Sequence, residues 1–127
     1  RGAQPAELVM IHDSQRALTA GAQFDRVLQA LTPNIDAVRP VSAFTETLKS
    51  IGAGQYIEGT IDRNSMKRVS TPELIRYNAI DFDEISSTWF VPLKVDARIT
   101  TVDADPESAR INSDKEIDLM KHLFGRN

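Results

Sequence analysis

Apolar and polar residues alternate most regularly between Ser87 and Val102, in STWFVPLKVDARITTV. Trp89, Val91, Leu93, Val95, Ala97 and Ile99 fall on one side, and Phe90, Pro92, Lys94, Asp96, Arg98 and Thr100 on the other. Successive strand residues point to opposite faces, so this spacing predicts a long strand with one apolar face. The rest of the chain is expected to cover that face. Pro92 has no N–H for a ladder, which puts the strand at a sheet edge or interrupts it there.

Elsewhere the period changes. Ala6–His12 is short and apolar and reads as a buried strand. Phe24, Val27, Leu28 and Leu31 recur at helical spacing, which predicts a helix over Leu18–Leu31. Gly21 moves its start towards Ala22, and Thr32-Pro33 ends it. Pro40 is expected to open a second helix, with Val41, Phe44, Leu48 and Ile51 on one stripe and Gly52 just past its end. Gln55–Asp62 alternates as a strand with Gly59 at a bulge, and Met66–Val69 reads as a brief returning strand.

Ser70 and Glu73 have capping-box spacing and Pro72 suits a first turn, so a third helix is expected as far as Asn78 or Ile80. Asp81–Glu84 is an acidic loop and Asp103–Glu107 a turn. Ser113–Phe124 carries the last helical stripe, again with capping-box spacing at Ser113 and Glu116. The order β-α-α-β-(β)-α-β-α predicts an α/β domain over residues 1–127. Its core is expected to be a single-layer mixed sheet of about three to four strands flanked by helices.

Composition narrows the functions. The 127 residues suit one domain with one core. Cysteine is absent, which excludes disulfides, thiolate metal sites and cysteine nucleophiles. No apolar run approaches the roughly 20 residues that cross a bilayer, no signal-peptide pattern opens the sequence, and no membrane partner is expected. Localisation is left open. Net charge is −3, distributed as +1 over residues 1–78, −6 over 79–118 and +2 over 119–127. A mildly acidic chain is a poor general nucleic-acid binder, because that binding rests on phosphate neutralisation.

Candidate chemistry is sparse. His12-Asp13-Ser14 holds three residue types of a hydrolase triad, but neighbours in sequence cannot form that spatial arrangement. The same strand end resembles the opening of a von Willebrand A-type metal site. That family's Asp-x-Ser-x-Ser needs serine where this chain has Gln15 and Ala17, so no metal site follows. Gly52-Ala53-Gly54 follows an expected helix and precedes a strand, the reverse of a phosphate-cradling loop. The acidic groups Asp81, Asp83, Glu84 and Asp103, Asp105, Glu107 flank the expected long strand and are too far apart to share a metal.

Arg63, Lys67, Arg68 and Arg76 are the densest basic run, a candidate site for RNA or another polyanion. Trp89, Phe90 and Pro92 on an edge strand form a candidate protein interface. These features point to a non-catalytic interaction or assembly module, homodimeric and acting in a larger complex, with no cofactor. Two further expectations stand beside it. One is a nucleic-acid or anion-binding domain using the basic run. The other is a small hydrolase-like enzyme using His12, Asp13 and the acidic loops.

Overall fold

Two short strands, both covered on their two faces, organise the sheet. The computed structural model describes residues 7–43, 48–51, 57–62, 67–84 and 90–124. Among these lie β1 (Leu8–Ile11), β2 (Ala37–Ala43), β3 (Leu48–Ile51), β4 (Ile57–Ile61), β5 (Lys67–Val69), β6 (Glu73–Arg76) and β7 (Ile99–Asp103). The helices are α1 (Gly21–Ala30) and α2 (Asp114–Phe124), and 3₁₀ turns cover Tyr77–Ala79 and Pro106–Ser108.

The main sheet runs β1, β6, β2, β7, with β5 continuing alongside β2 beyond the end of β6. It is mixed, because β2 and β7 are parallel and the other pairs antiparallel. Strand alternation splits its core in two. Val38 and Leu74 face α1 and pack with Val27. Ala37 and Ile75 face the other way and pack with Ala79 and Ile80, flanked by Val91, Leu93 and Ala97. Full burial of an Ile or Leu side chain is worth about 1.5–3 kcal/mol, and here neighbouring positions are buried on opposite faces.

The fold is α/β, as the pattern of elements suggests. The expected helix from Pro40 is instead β2 followed by β3. Pro40 sits where the neighbour of β2 changes from β6 to β5, and its carbonyl accepts the Ser70 N–H at 2.8 Å. A missing donor is tolerated at such a gap. The expected helix from Ser70 is instead β6, with only the Tyr77–Ala79 turn helical. Ser70 and Glu73 do not cap each other, since Ser70 bonds Ser108 and Glu73 bonds Arg39.

The expected long strand from Ser87 is also corrected. Residues 85–89 lie outside the described part, Phe90–Arg98 is irregular apart from a bridge between Leu93 and Ile80, and the strand begins only at Ile99. Val95, placed on the apolar face by its spacing, is fully exposed. β1 is a sheet edge with Leu8, Met10 and Ile11 partly exposed, rather than a buried strand. β4 lies within the expected strand, and the register irregularity of the β3–β4 pair falls opposite Gly59. α2 starts where its cap predicts, with Glu116 N–H on Ser113 Oγ at 3.3 Å.

Candidate active site

The site begins where β1 runs out. Asp13 Oδ1 accepts the Gln15 N–H at 2.9 Å and the Asp13 carbonyl accepts the Arg16 N–H at 2.9 Å. This side-chain turn is one that Asp forms readily, and it fixes the carboxylate while turning Arg16 back towards it. Thr71 Oγ1, just before β6, accepts the Asp13 N–H at 3.1 Å and lies 3.0 Å from His12 Nδ1. The His12 ring rests on Phe24 of α1, 5.1 Å between centroids.

A ring of polar contacts then closes around the site. Arg16 Nη1 donates to the Ser108 carbonyl at 2.8 Å. Ser108 Oγ donates to the Asp105 carbonyl at 2.7 Å and accepts from Ser70 Oγ at 3.0 Å. Gln23 of α1, fully buried, completes the circuit. Its Oε1 accepts the Asp105 N–H at 2.6 Å and its Nε2 donates to the Thr71 carbonyl at 2.9 Å. Gln23 therefore satisfies one group on each of the two turns that wall the site, groups that would be costly to bury unpaired.

Arg110 Nε lies 3.0 Å and Arg16 Nε 3.6 Å from the same oxygen of Asp13, and Arg110 also reaches Gln15 Oε1. Two guanidiniums face one carboxylate. Burial pulls the Arg16 guanidinium below its usual value, Asp13 pushes it back up, and Arg110 adds to the lowering. Both arginines border a cavity of about 340 Å³ that also reaches His12, Thr71, Glu73 and Phe90. A second cavity of about 740 Å³ lies against the same two arginines and Ser70, Ser108 and Arg68. Paired guanidiniums beside an open cavity form a receptor for a tetrahedral oxyanion such as a phosphate monoester.

Of the residues singled out in the sequence, the structure brings His12, Asp13 and Phe90 to this cavity. Phe90 lies under the Arg39 guanidinium, 5.5 Å from its centroid. Pro92 accepts the Asp81 N–H through its carbonyl at 2.9 Å. Trp89 and Arg63 lie outside the described residues. Lys67 and Arg68 are exposed on β5, opposite Ala43 and Ser42 of β2. Arg76 lies at the other end of β2, roughly 20 Å away at strand spacing, where its guanidinium binds the Ile35 and Thr32 carbonyls. Asp105 pairs with Arg26 at 2.9 Å.

Sequence reading missed Arg16, Gln23, Thr71, Ser108 and Arg110. The Asp13–Arg16 spacing was a local signal for the first of these. The others meet only in space, with Arg16 and Ser108 separated by 92 positions.

A sheet of this topology is shared with solved cytidylyl-transferring enzymes. The 4-diphosphocytidyl-2C-methyl-D-erythritol synthase of Anaerococcus prevotii superposes with a TM-score of 0.78 at 20% identity, over 98% of this chain and 62% of that one. The 2-C-methyl-D-erythritol 4-phosphate cytidylyltransferase of Thermus thermophilus gives 0.69 at 19% identity, over 94% and 62%. At sequence level, the family model of IspD, 2-C-methyl-D-erythritol 4-phosphate cytidylyltransferase, matches residues 2–84, and the chain belongs to that family.

The bifunctional enzyme IspD/IspF of Rhodospirillum rubrum is 45% identical over 74 residues, 58% of this chain and 19% of that protein. The cytidylyltransferase of Rhodococcus jostii is 29% identical over 128 residues, 95% of this chain and 56% of that protein. The chain thus spans about half the length of the Rhodococcus relative.

Family membership overturns the expectation of a non-catalytic interaction or assembly module, and the reading as a structural protein, since the family is one of enzymes. The family's named activity is cytidylyl transfer, which is not the hydrolysis of the third expectation. The reason for the error is physical. This site assembles polar residues distant from one another in the sequence, which no contiguous signature marks. No described helix is long and apolar enough to cross a membrane.

Proposed function

We propose that this chain carries the acceptor-binding part of a 2-C-methyl-D-erythritol 4-phosphate cytidylyltransferase, with Arg16 and Arg110 receiving the acceptor's phosphate. The observation that carries this reading is the pair of guanidiniums on the single carboxylate of Asp13 at the cavity wall. A phosphate monoester in that cavity meets both guanidiniums.

In cytidylyl transfer to such an acceptor, a phosphate oxygen attacks the α-phosphorus of cytidine triphosphate. One P–O bond forms, the bond to pyrophosphate breaks, and the product holds a diphosphate bridge. Two anions must approach each other. The arginines lower that repulsion and fix the attacking oxygen, while Asp13 and the Ser108 carbonyl hold the guanidiniums in place.

Calorimetric titration with methylerythritol phosphate tests the reading. Wild type binds, and Arg110→Ala weakens binding by about tenfold or more. Equal affinity in the two proteins would remove Arg110 from the site.

A second observation supports self-association. β3 and β4 form a two-stranded sheet separate from the main one, and Ile57 on it is 67% exposed. A lone hairpin is marginal in water, so a second copy covering this ribbon is the partner it suits. Light scattering should give a dimer for wild type and a smaller mass for Ile57→Asp.

A further inference from the structure

The cavity beside Arg16 and Arg110 is also lined by a carboxylate. Glu73 of β6 lines it, with a side chain only 2% exposed. Burying a carboxylate is costly unless it is paired, and a buried ion pair is often no more stabilising than apolar residues of the same volume. The partner is Arg39 on the neighbouring strand β2, whose Nε donates to Glu73 Oε1. Arg39 is itself held twice more, by the Val91 carbonyl at 3.3 Å and by the face of Phe90 at 5.5 Å. A fixed cation thus orients a fixed carboxylate. Among the described residues no second donor reaches that carboxylate, so acceptor capacity is left at the cavity wall. Ile11, Val69 and Phe90 add apolar surface to the same cavity. The volume of about 340 Å³ lies at the lower end of the range for small-molecule sites.

We infer that Glu73, oriented by Arg39, is a specificity-determining residue whose carboxylate accepts hydrogen bonds from the hydroxyl groups of a polyol phosphate anchored at Arg16 and Arg110. This rests on the acceptor-binding reading above and adds to it. The arginines recognise the phosphate of any phosphate ester. Glu73 recognises that the remainder is a polyol, because it accepts from hydroxyls and repels a second anion. A site built to bond a hydroxyl discriminates strongly against a ligand that lacks it.

The experiment is a calorimetric titration of wild type and Glu73→Gln with two probes, methylerythritol phosphate and inorganic phosphate, after thermal melts show both proteins folded. Glu73→Gln should weaken the polyol phosphate by about tenfold or more and leave inorganic phosphate within about twofold. Unchanged affinity for both probes, or equal loss of both, overturns the inference, the second result by showing a merely structural carboxylate. Wild type that binds neither probe overturns the acceptor-binding reading itself. Should Glu73→Gln fail to fold because Arg39 is left unpaired, the double variant Arg39→Met with Glu73→Gln removes the orphaned cation and gives the same comparison. Gln in place of Glu keeps the volume, so a shift in the ratio of the two affinities reports the charge and not the packing.

Discussion

Arginines sit at both ends of β2 and do opposite work. At one end Arg76 spends its donors on the Ile35 and Thr32 carbonyls, and Arg98 lies 3.8 Å from Asp36, one cation to one anion. At the other end Arg16 and Arg110 share Asp13, and a cavity opens beside them. The first arrangement is a staple, because Arg76 ties down the loop before β2 through two of its backbone carbonyls. The second sets two guanidiniums on one carboxylate at the wall of a cavity that also takes in His12, Thr71 and Glu73. A site is marked here by guanidiniums converging at a cavity wall, and density of basic residues along the chain does not reveal it. By density, Arg63–Arg76 stood out, while Arg110 lay hidden in the acidic stretch 79–118.

The contrast can be broken by experiment. The largest effect belongs to the double variant Arg16→Ala, Arg110→Ala, which should lose methylerythritol phosphate binding by about 100-fold or more, since two charge-assisted contacts go together. Retained binding would assign the phosphate elsewhere. Gln23→Leu comes next. It strips partners from the buried Thr71 carbonyl and Asp105 N–H, and urea unfolding should show a loss of about 2–4 kcal/mol, together with weaker ligand binding. Loss of stability without loss of binding would mean that the ring does not hold the site. Arg76→Ala should cost about 1–2 kcal/mol and leave binding within about twofold, which separates a staple from a ligand contact.

The smallest expected effect is one of pH. Burial holds the Glu73 carboxyl above the ordinary carboxylate range, and the hydrogen bond and charge of Arg39 pull it back only in part. The folded protein therefore keeps this proton more readily than the unfolded chain does. The stability Glu73 contributes is complete below the ordinary carboxylate pKa and is lost as pH rises through the raised value. Between about pH 4 and pH 7, unfolding free energies should move in favour of Glu73→Gln relative to wild type. A difference that stays flat, or moves the other way, contradicts this placement of the carboxylate.

What was legible in the sequence was local. α1, β4, β5 and α2 announce themselves by period, proline or cap, all within a few residues. β6 and the part of β2 from Pro40 onward were taken for helices because Pro40 and Ser70-Thr71-Pro72-Glu73 imitate helix starts. Tertiary pairing decided otherwise, because Val38 with Leu74 and Ala37 with Ile75 bury alternate faces that a helix could not present. The candidate site was half legible. His12 and Asp13 drew attention as polar residues at a strand end. Their partner Thr71 lies 58 and 59 positions away, and the Gln15 to Arg110 contact spans 95, where no spacing rule reaches.

Titrating methylerythritol phosphate into Arg110→Ala and Arg76→Ala side by side bears most directly on the difference between the two ends of β2. Binding by Arg76→Ala at the wild-type level, with Arg110→Ala about tenfold weaker or worse, is the expected result. Equal losses in both variants, or a loss confined to Arg76→Ala, would contradict it.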